Sequence, residues 1–238
     1  MLMNSKDLIR LYDQMKGKYG KDTYKHVSDL LNEAKEIHKK DFASSATANR
    51  AIAAGRVPDH EQSWRAFKGK NLEKLIMHII EDGVTGLGLK IINGNRLERT
   101  NDENLSEELN LVKRNLLVNY GEFGYHLPDV DMVIYKPDTK KIIAVLSSKV
   151  TLRERITQTS YWKIKLASDS ATKHIKVFFV TPDEDGTLTQ KKPAKKGRAI
   201  VETDTDGSYI LSETKVEESS KVKMLDKFID DLSKLAEK

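Results

Sequence analysis

Two aspartates and one lysine near the middle of the chain have the types and spacing of a metal-dependent hydrolytic site. Asp129 and Asp131 alternate with Val130 and Met132, so in a strand both carboxylates would leave the same face. Lys149 lies 20 positions after Asp129 (149 − 129), where the next apolar run ends. Carboxylate oxygens hold Mg²⁺, and a nearby ammonium orients or helps deprotonate an attacking water. This set of residues predicts hydrolysis of a phosphodiester.

A hairpin is the element that would bring these residues together. The runs PDVDMVIY and KKIIAVLSS flank KPDTKK, in which Pro137 and Asp138 are turn formers. The turn would fold the second run back and place Asp129 or Asp131 beside residues 147–149. The pattern leaves open which of the two aspartates is the closer. The sequence has no cysteine, so disulfides and thiolate metal sites are excluded and oxygen or imidazole ligands remain.

Pro128-Asp129 and Ser147-Ser148-Lys149 resemble the PD and (D/E)XK motifs of the PD-(D/E)XK nucleases, specifically of the type II restriction endonucleases. In having serine at the acidic position, the chain resembles the BsaWI-like branch of these enzymes, which recognises sites containing CCGG. That branch also has arginine–acid–arginine at the start of the helix after the catalytic lysine, and residues 153–155 are Arg-Glu-Arg. The resemblance spans about residues 66 to 182. It implies a Mg²⁺-dependent, site-specific deoxyribonuclease that belongs to a restriction-modification system and acts on double-stranded DNA.

Because Ser147 replaces an acid, the resemblance implies a compensating carboxylate from a neighbouring helix. The helix after Lys149 offers Gln158 rather than a later acid. Glu73 resembles the glutamate of an early helix in many nucleases of this superfamily, although a solvent-facing residue on an amphipathic helix has the same spacing. Glu122 is a third candidate. We assign catalysis to Asp129, Lys149 and Glu73, metal binding to Asp129, Asp131 and Glu73, and support to Ser147 and Gln158.

Two roles compete for Arg153, Glu154 and Arg155. Thr151 and Glu154 fit a capping box, which would leave the arginines solvated. Alternatively, the amino end of the helix points into the major groove, where arginine pairs with guanine O6 and N7 and glutamate accepts from cytosine N4. Since Lys149 lies so close in sequence, we favour base readout by all three residues.

The surrounding pattern predicts an α/β fold with a mixed central sheet flanked by helices, a restriction-endonuclease-like core. Helical spacing before Gly55 and Pro58 indicates an N-terminal helical subdomain over residues 1–60. Residues 61–238 form the nuclease domain, which ends in an amphipathic helix. We also expect a second hairpin around Asp206-Gly207.

The composition permits a polyanionic partner without requiring one. The chain has 41 Lys and Arg against 36 Asp and Glu, a net charge of +5. The only charge run, KKPAKKGR at 191–198, is most often a solvated loop and less often a phosphate contact; Lys163, Lys165 and Lys173 could also meet phosphates. No run approaches the ~20 apolar residues of a membrane span, and the first residues do not form a signal peptide, so we expect a cytoplasmic protein without a membrane partner.

These observations predict a type II restriction endonuclease that cuts a palindromic site, and the resemblance implies that this site contains CCGG. Cutting both strands of a palindrome requires two sites related by a twofold axis, so we expect a homodimer or a higher homo-oligomer. Two alternatives remain. One is a structure-specific nuclease of the same fold, similar to a junction resolvase. The other is a sequence-specific DNA-binding protein whose catalytic site is degenerate because Ser147 replaced the acid.

Overall fold

A mixed sheet forms the centre of the computed structural model, which describes residues 2–151 and 155–237. Six strands build this sheet and two further strands form a small separate hairpin. Within the described residues the strands are β1 (Lys90–Asn93), β2 (Val118–Asn119), β3 (Tyr125–His126), β4 (Met132–Tyr135), β5 (Ile142–Ser148), β6 (Lys176–Thr181), β7 (Gly207–Ile210) and β8 (Val222–Met224).

Helices precede, separate and follow the strands of the sheet along the chain, as expected for an α/β fold. Within the same residues they are α1 (Ser5–Tyr19), α2 (Val27–Ala43), α3 (Ala46–Ala53), α4 (His60–Gly86), α5 (Gly94–Arg99), α6 (Glu107–Leu116), α7 (Arg155–Ala167), α8 (Lys196–Asp204) and α9 (Phe228–Ala236). None of these helices combines the length and the apolar character that crossing a membrane would need.

The sheet is buried on both faces, as the alternation of side chains in β4 shows. Met132 and Ile134 belong to a core cluster that includes residues of α1, α2, α4 and α9. Val133 and Tyr135 point the other way, into a cluster with residues of α5 and α6. Both faces of β4 are therefore covered by helices, which is typical of the central strands of an α/β sheet.

The predicted hairpin of β4 and β5 is present and determines the position of the site. The two strands are antiparallel, with Met132 opposite Leu146. β4 begins only at Met132, so Asp129 and Asp131 lie in the segment before the strand instead of within it. β5 pairs with β6 in parallel, and Ser148 lies opposite Val180. The residues after β5 and β6 therefore emerge at the same edge of the sheet.

The hairpin expected around Asp206-Gly207 is wrong. Residues Lys196–Asp204 form α8, and β7 runs parallel to β6. Asp206-Gly207 is the connection from α8 into β7, where Gly207 has φ of 147° and a Cβ would lie 2.4 Å from the carbonyl oxygen of Lys221. The glycine is thus required by close approach of the neighbouring backbone, and not by a two-residue turn.

The amino-terminal helices share the core of the rest of the chain. Leu8 of α1 and Leu31 of α2 lie in the same buried cluster as Leu72 and Leu75 of α4. The boundary at residue 60 stays a prediction.

Candidate active site

Lys149 and Asp131 form an ion pair where β5 ends and β4 begins. The ammonium Nζ lies 3.1 Å from Oδ1 and 3.0 Å from Oδ2 of Asp131. The backbone N–H of Ser148 donates to Asp131 Oδ2 at 2.6 Å. The side chain of Asp131 is only 7% exposed, so both interactions compensate a charge that has lost most of its water. The antiparallel register produces this contact directly.

Glu73 reaches the same ammonium from α4, on one face of the sheet. Its Oε1 lies 3.9 Å from Lys149 Nζ, and Asn95 Nδ2 donates to its Oε2 at 3.4 Å. Burial, and after it the negative charge of Asp131, raise the pKa of Glu73 to about 7, while the Lys149 ammonium acts in the opposite direction. Two carboxylates thus share one ammonium in a largely dehydrated place.

Asp129 lies on the side of Lys149 and Asp131 that faces α7, whereas Glu73 approaches from α4. Asp129 is exposed, and Gln158 Nε2 donates to its Oδ2 at 2.6 Å. The carboxylates, the lysine and α7 enclose a small cavity. Its lining residues are Asp129, Asp131, Ser147, Lys149, Gln158 and Thr159.

The donor atoms fit a hard divalent cation. Mg²⁺ is bound in proteins through one or two carboxylates and keeps several waters. Asp131 and Glu73 supply such oxygens, and a cation between them would offset the like charge that raises the pKa of Glu73. Among the described residues, a group of three imidazole and carboxylate ligands at metal-binding spacing occurs elsewhere, at His26, Asp29 and Glu213. It lies on the surface and includes none of the predicted residues.

Of the other residues predicted from sequence, some line the cavity, one lies away from it, and some lie outside the described part of the chain. Arg153 and Glu154 lie outside the described residues, as does the capping box that includes Glu154, and the side chain of Arg155 is outside them too. Arg155 is the first residue of α7. Glu122 is exposed in a short 3₁₀ turn and does not line the cavity. Ser147 and Gln158 do line it.

Two contributors were missed by sequence reasoning. Asn95, which holds Glu73, lies in α5 beyond β1, and no motif or spacing marks it. Thr159 lines the cavity beside Gln158. Its position next to Gln158 on the predicted helix was the only available signal.

The chain is similar in sequence to restriction enzymes. Residues 108–231 match the family described as BsaWI restriction endonuclease type 2. MjaVIP of Methanocaldococcus jannaschii, named as a type II restriction enzyme, is 37% identical over 227 residues, which cover 90% of this chain and 94% of that one. HpyAORF263P of Helicobacter pylori, named likewise, is 39% identical over 134 residues, 56% of this chain and 67% of that one.

Solved structures show the same fold at low sequence identity. The restriction endonuclease PspGI in complex with substrate DNA aligns with a TM-score of 0.58 and 14% identity, covering 99% of this chain and 93% of PspGI. The specific AgeI–DNA complex aligns with a TM-score of 0.54 and 14% identity, covering 95% of this chain and 91% of AgeI. The predicted restriction-endonuclease-like core is therefore confirmed.

Proposed function

The chain belongs to the BsaWI family of type II restriction endonucleases, and on that premise we propose that it hydrolyses double-stranded DNA at a palindromic site containing CCGG, with Mg²⁺ as cofactor. The observation that carries the proposal is the position of the Lys149 ammonium, beside the carboxylates of both Asp131 and Glu73. PspGI and AgeI were each solved with DNA, which supports a DNA substrate for this chain as well.

Asp131 and Glu73 are the residues that would hold Mg²⁺. We place Asp131 first of the two aspartates because it contacts Lys149 directly, and Asp129 second because it lines the same cavity. Glu73 then supplies the carboxylate that Ser147 lacks. When bound, the metal lowers the pKa of a water and neutralises charge developing on the phosphate.

Lys149 has two roles in this arrangement. In the absence of substrate its ammonium pairs with Asp131 and reduces the repulsion between the carboxylates of Asp131 and Glu73. With a phosphodiester bound beside Lys149, the same ammonium would orient the attacking water and stabilise the negative charge that forms on the phosphate oxygens. Ser148 contributes through its backbone N–H, which fixes the orientation of the Asp131 carboxylate.

We assign base readout to Arg153, Glu154 and Arg155; Arg155 is the first residue of α7, and the other two precede it in the sequence. Gln158 is one turn further along the same helix and donates to Asp129, so α7 would connect sequence reading with the catalytic cavity. Arginine suits guanine and glutamate suits cytosine, which is consistent with a site of G·C pairs. A palindromic site then calls for a homodimer, in which each protomer cuts one strand.

Digestion of a plasmid of known sequence, with Mg²⁺ and with EDTA, tests this function. Sequencing of the ends should show cuts at one palindrome that contains CCGG, in Mg²⁺ only. Cuts at another fixed palindrome would refute the CCGG assignment alone. Absence of metal-dependent cutting by protein that still binds one sequence would support the degenerate DNA-binding alternative. Preference for branched junctions over linear duplex would support the resolvase-like alternative.

A further inference from the structure

The basic segment, residues 191–198 (KKPAKKGR), presents a group of lysines that the protein itself does not neutralise. Lys191, Lys192, Lys195 and Lys196 are all exposed. In the part of the chain that the structure describes, no carboxylate oxygen lies within 4 Å of their ammonium groups, whereas Lys163 pairs with Asp206 at 2.6 Å. Such a cluster produces a local positive potential that attracts an anionic partner.

A buried arginine holds this segment in place. Arg198 has a fully buried side chain. Its guanidinium donates to the carbonyl oxygens of Leu188 and of Glu217, the latter at 2.8 Å, and to the Glu202 carboxylate at 2.9 Å. At the other end, the N–H of Lys191 donates to Glu217 Oε2 at 2.7 Å. The lysines are therefore presented from a backbone that is fixed at both ends, which lowers the entropy lost when they bind a ligand.

The basic segment lies beside the first turn of α7. A Cβ on Gly197 would lie 2.7 Å from Cδ1 of Ile156, which shows how closely α8 approaches α7. Between the two helices is a cavity of about 480 Å³. Lys195 and Lys196 of the basic segment line it together with Ile156 and Thr157 of α7.

The topology also brings the segment to the catalytic edge of the sheet. β5 and β6 are parallel, so the chain leaving β6 at Thr181 starts from the same edge as Lys149. The segment follows that exit and leads directly into α8. It therefore lies on the same side of the molecule as the proposed active site and the proposed reading helix.

We propose that the basic segment binds backbone phosphates of DNA next to the bases that α7 reads. The inference rests on the proposed function, because it requires duplex DNA at the start of α7. Phosphate contacts fix the register of a protein on DNA without reading its sequence. Lys191, Lys192 and Lys196 would thus hold the duplex while residues 153–155 discriminate bases. Lys195 donates to the carbonyl oxygen of Asp185 at 3.0 Å and is left out of the test.

The test compares two triple variants with the unmodified protein. The first is Lys191→Ala, Lys192→Ala and Lys196→Ala. The control, Lys136→Ala, Lys140→Ala and Lys141→Ala, removes the same charge from the turn between β4 and β5, at the opposite end of the sheet and about 20 Å away along β5. Binding to a duplex with the cleavage site and to a random duplex is measured in EDTA between 50 and 200 mM salt, and cleavage is measured separately in Mg²⁺.

If each of the three lysines neutralises one phosphate, the slope of log K against log salt becomes shallower by about 2.7 in the first variant. Raising the salt from 50 to 200 mM then weakens the unmodified protein about 40-fold more than the variant, equally for both duplexes. The control keeps the original slope.

An unchanged slope in the first variant, or the same loss in the control, would overturn the inference. So would a loss confined to the specific duplex, which is the mark of base readout, or a change of oligomeric state in place of DNA affinity. If the unmodified protein cleaves at its site and the first variant binds DNA with the unmodified slope, only the role of the basic segment in phosphate binding is refuted. An unmodified protein that neither binds nor cleaves DNA refutes the proposed function itself.

Discussion

The Lys149 ammonium and the Asp131 carboxylate lie 3.0 Å apart although 18 positions separate them in the chain. Antiparallel pairing of β4 and β5 brings the start of one strand to the end of the other. Every catalytic role proposed above depends on this relationship, because it places the Lys149 ammonium and the Asp131 carboxylate beside the same cavity.

Asp131 should matter more than Asp129. Asp131→Asn removes the buried carboxylate that contacts Lys149, and we expect cleavage to fall by about 10³-fold, since losing a metal ligand removes several kcal/mol of transition-state stabilisation. Asp129→Asn changes an exposed group and should reduce the rate by roughly tenfold or less. Single-turnover cleavage in Mg²⁺ measures both. A larger loss in the Asp129 variant would reverse the assignment.

Glu73 should couple Mg²⁺ binding to stability. A metal present at 100 times its Kd stabilises the folded protein by about 2.7 kcal/mol, so Mg²⁺ should raise the Tm of the unmodified protein by several degrees. Glu73→Gln should reduce that increase, and in EDTA it should be at least as stable because a like charge beside Asp131 is gone.

Glu122→Gln is the matched control for Glu73, since it removes an exposed carboxylate that does not line the cavity. It should keep the full increase of Tm in Mg²⁺. If Glu122→Gln loses the increase and Glu73→Gln keeps it, the second acid has been assigned to the wrong residue.

Arg153 and Arg155 should discriminate bases. Each alanine substitution should lower the preference for the specific site over a site with one altered G·C pair by about 1–3 kcal/mol, a factor of roughly 5 to 160. The ratio of kcat/KM for the two duplexes is the measurement. Ile164→Ala, on the exposed surface of α7, should leave the ratio unchanged. Equal losses on both duplexes would instead indicate phosphate contacts.

The hairpin was predictable from sequence because its signals are local. Turn formers at Pro137 and Asp138 and the apolar runs on either side mark it within one short stretch of the sequence. The same reasoning failed at Asp206-Gly207, where close packing against Lys221, and not turn chemistry, requires the glycine.

Glu73 could be proposed from sequence but not placed. It lies on α4, and its approach to Lys149 depends on how that helix packs on the sheet and on support from Asn95. Helical spacing reveals which face of α4 is apolar, but it does not give the distance from that helix to the end of β5. The choice between Asp129 and Asp131 stayed open for a related reason, since both lie before β4 and local alternation does not distinguish them.

Arg198 should be required for the stability of the segment that carries the lysines. Arg198→Met leaves the Leu188 and Glu217 carbonyl oxygens without their donor in a buried place, and we expect a loss of about 3 kcal/mol in the free energy of unfolding. Thermal unfolding should show a Tm lower by about 6–12 °C. Arg114→Met, at an exposed position, is the control. Equal Tm values for the two variants would contradict this role.

The most direct test of the catalytic centre is Lys149→Ala, examined for cleavage and binding on one duplex that contains the mapped site. We predict that single-turnover cleavage in Mg²⁺ falls by about 10³-fold, because a positive charge aimed at the reacting phosphate is lost. Binding in EDTA should stay within a few-fold of the unmodified protein, since the bases are read from α7. Cleavage at the unmodified rate would contradict the assignment of Lys149 and the active site built around it.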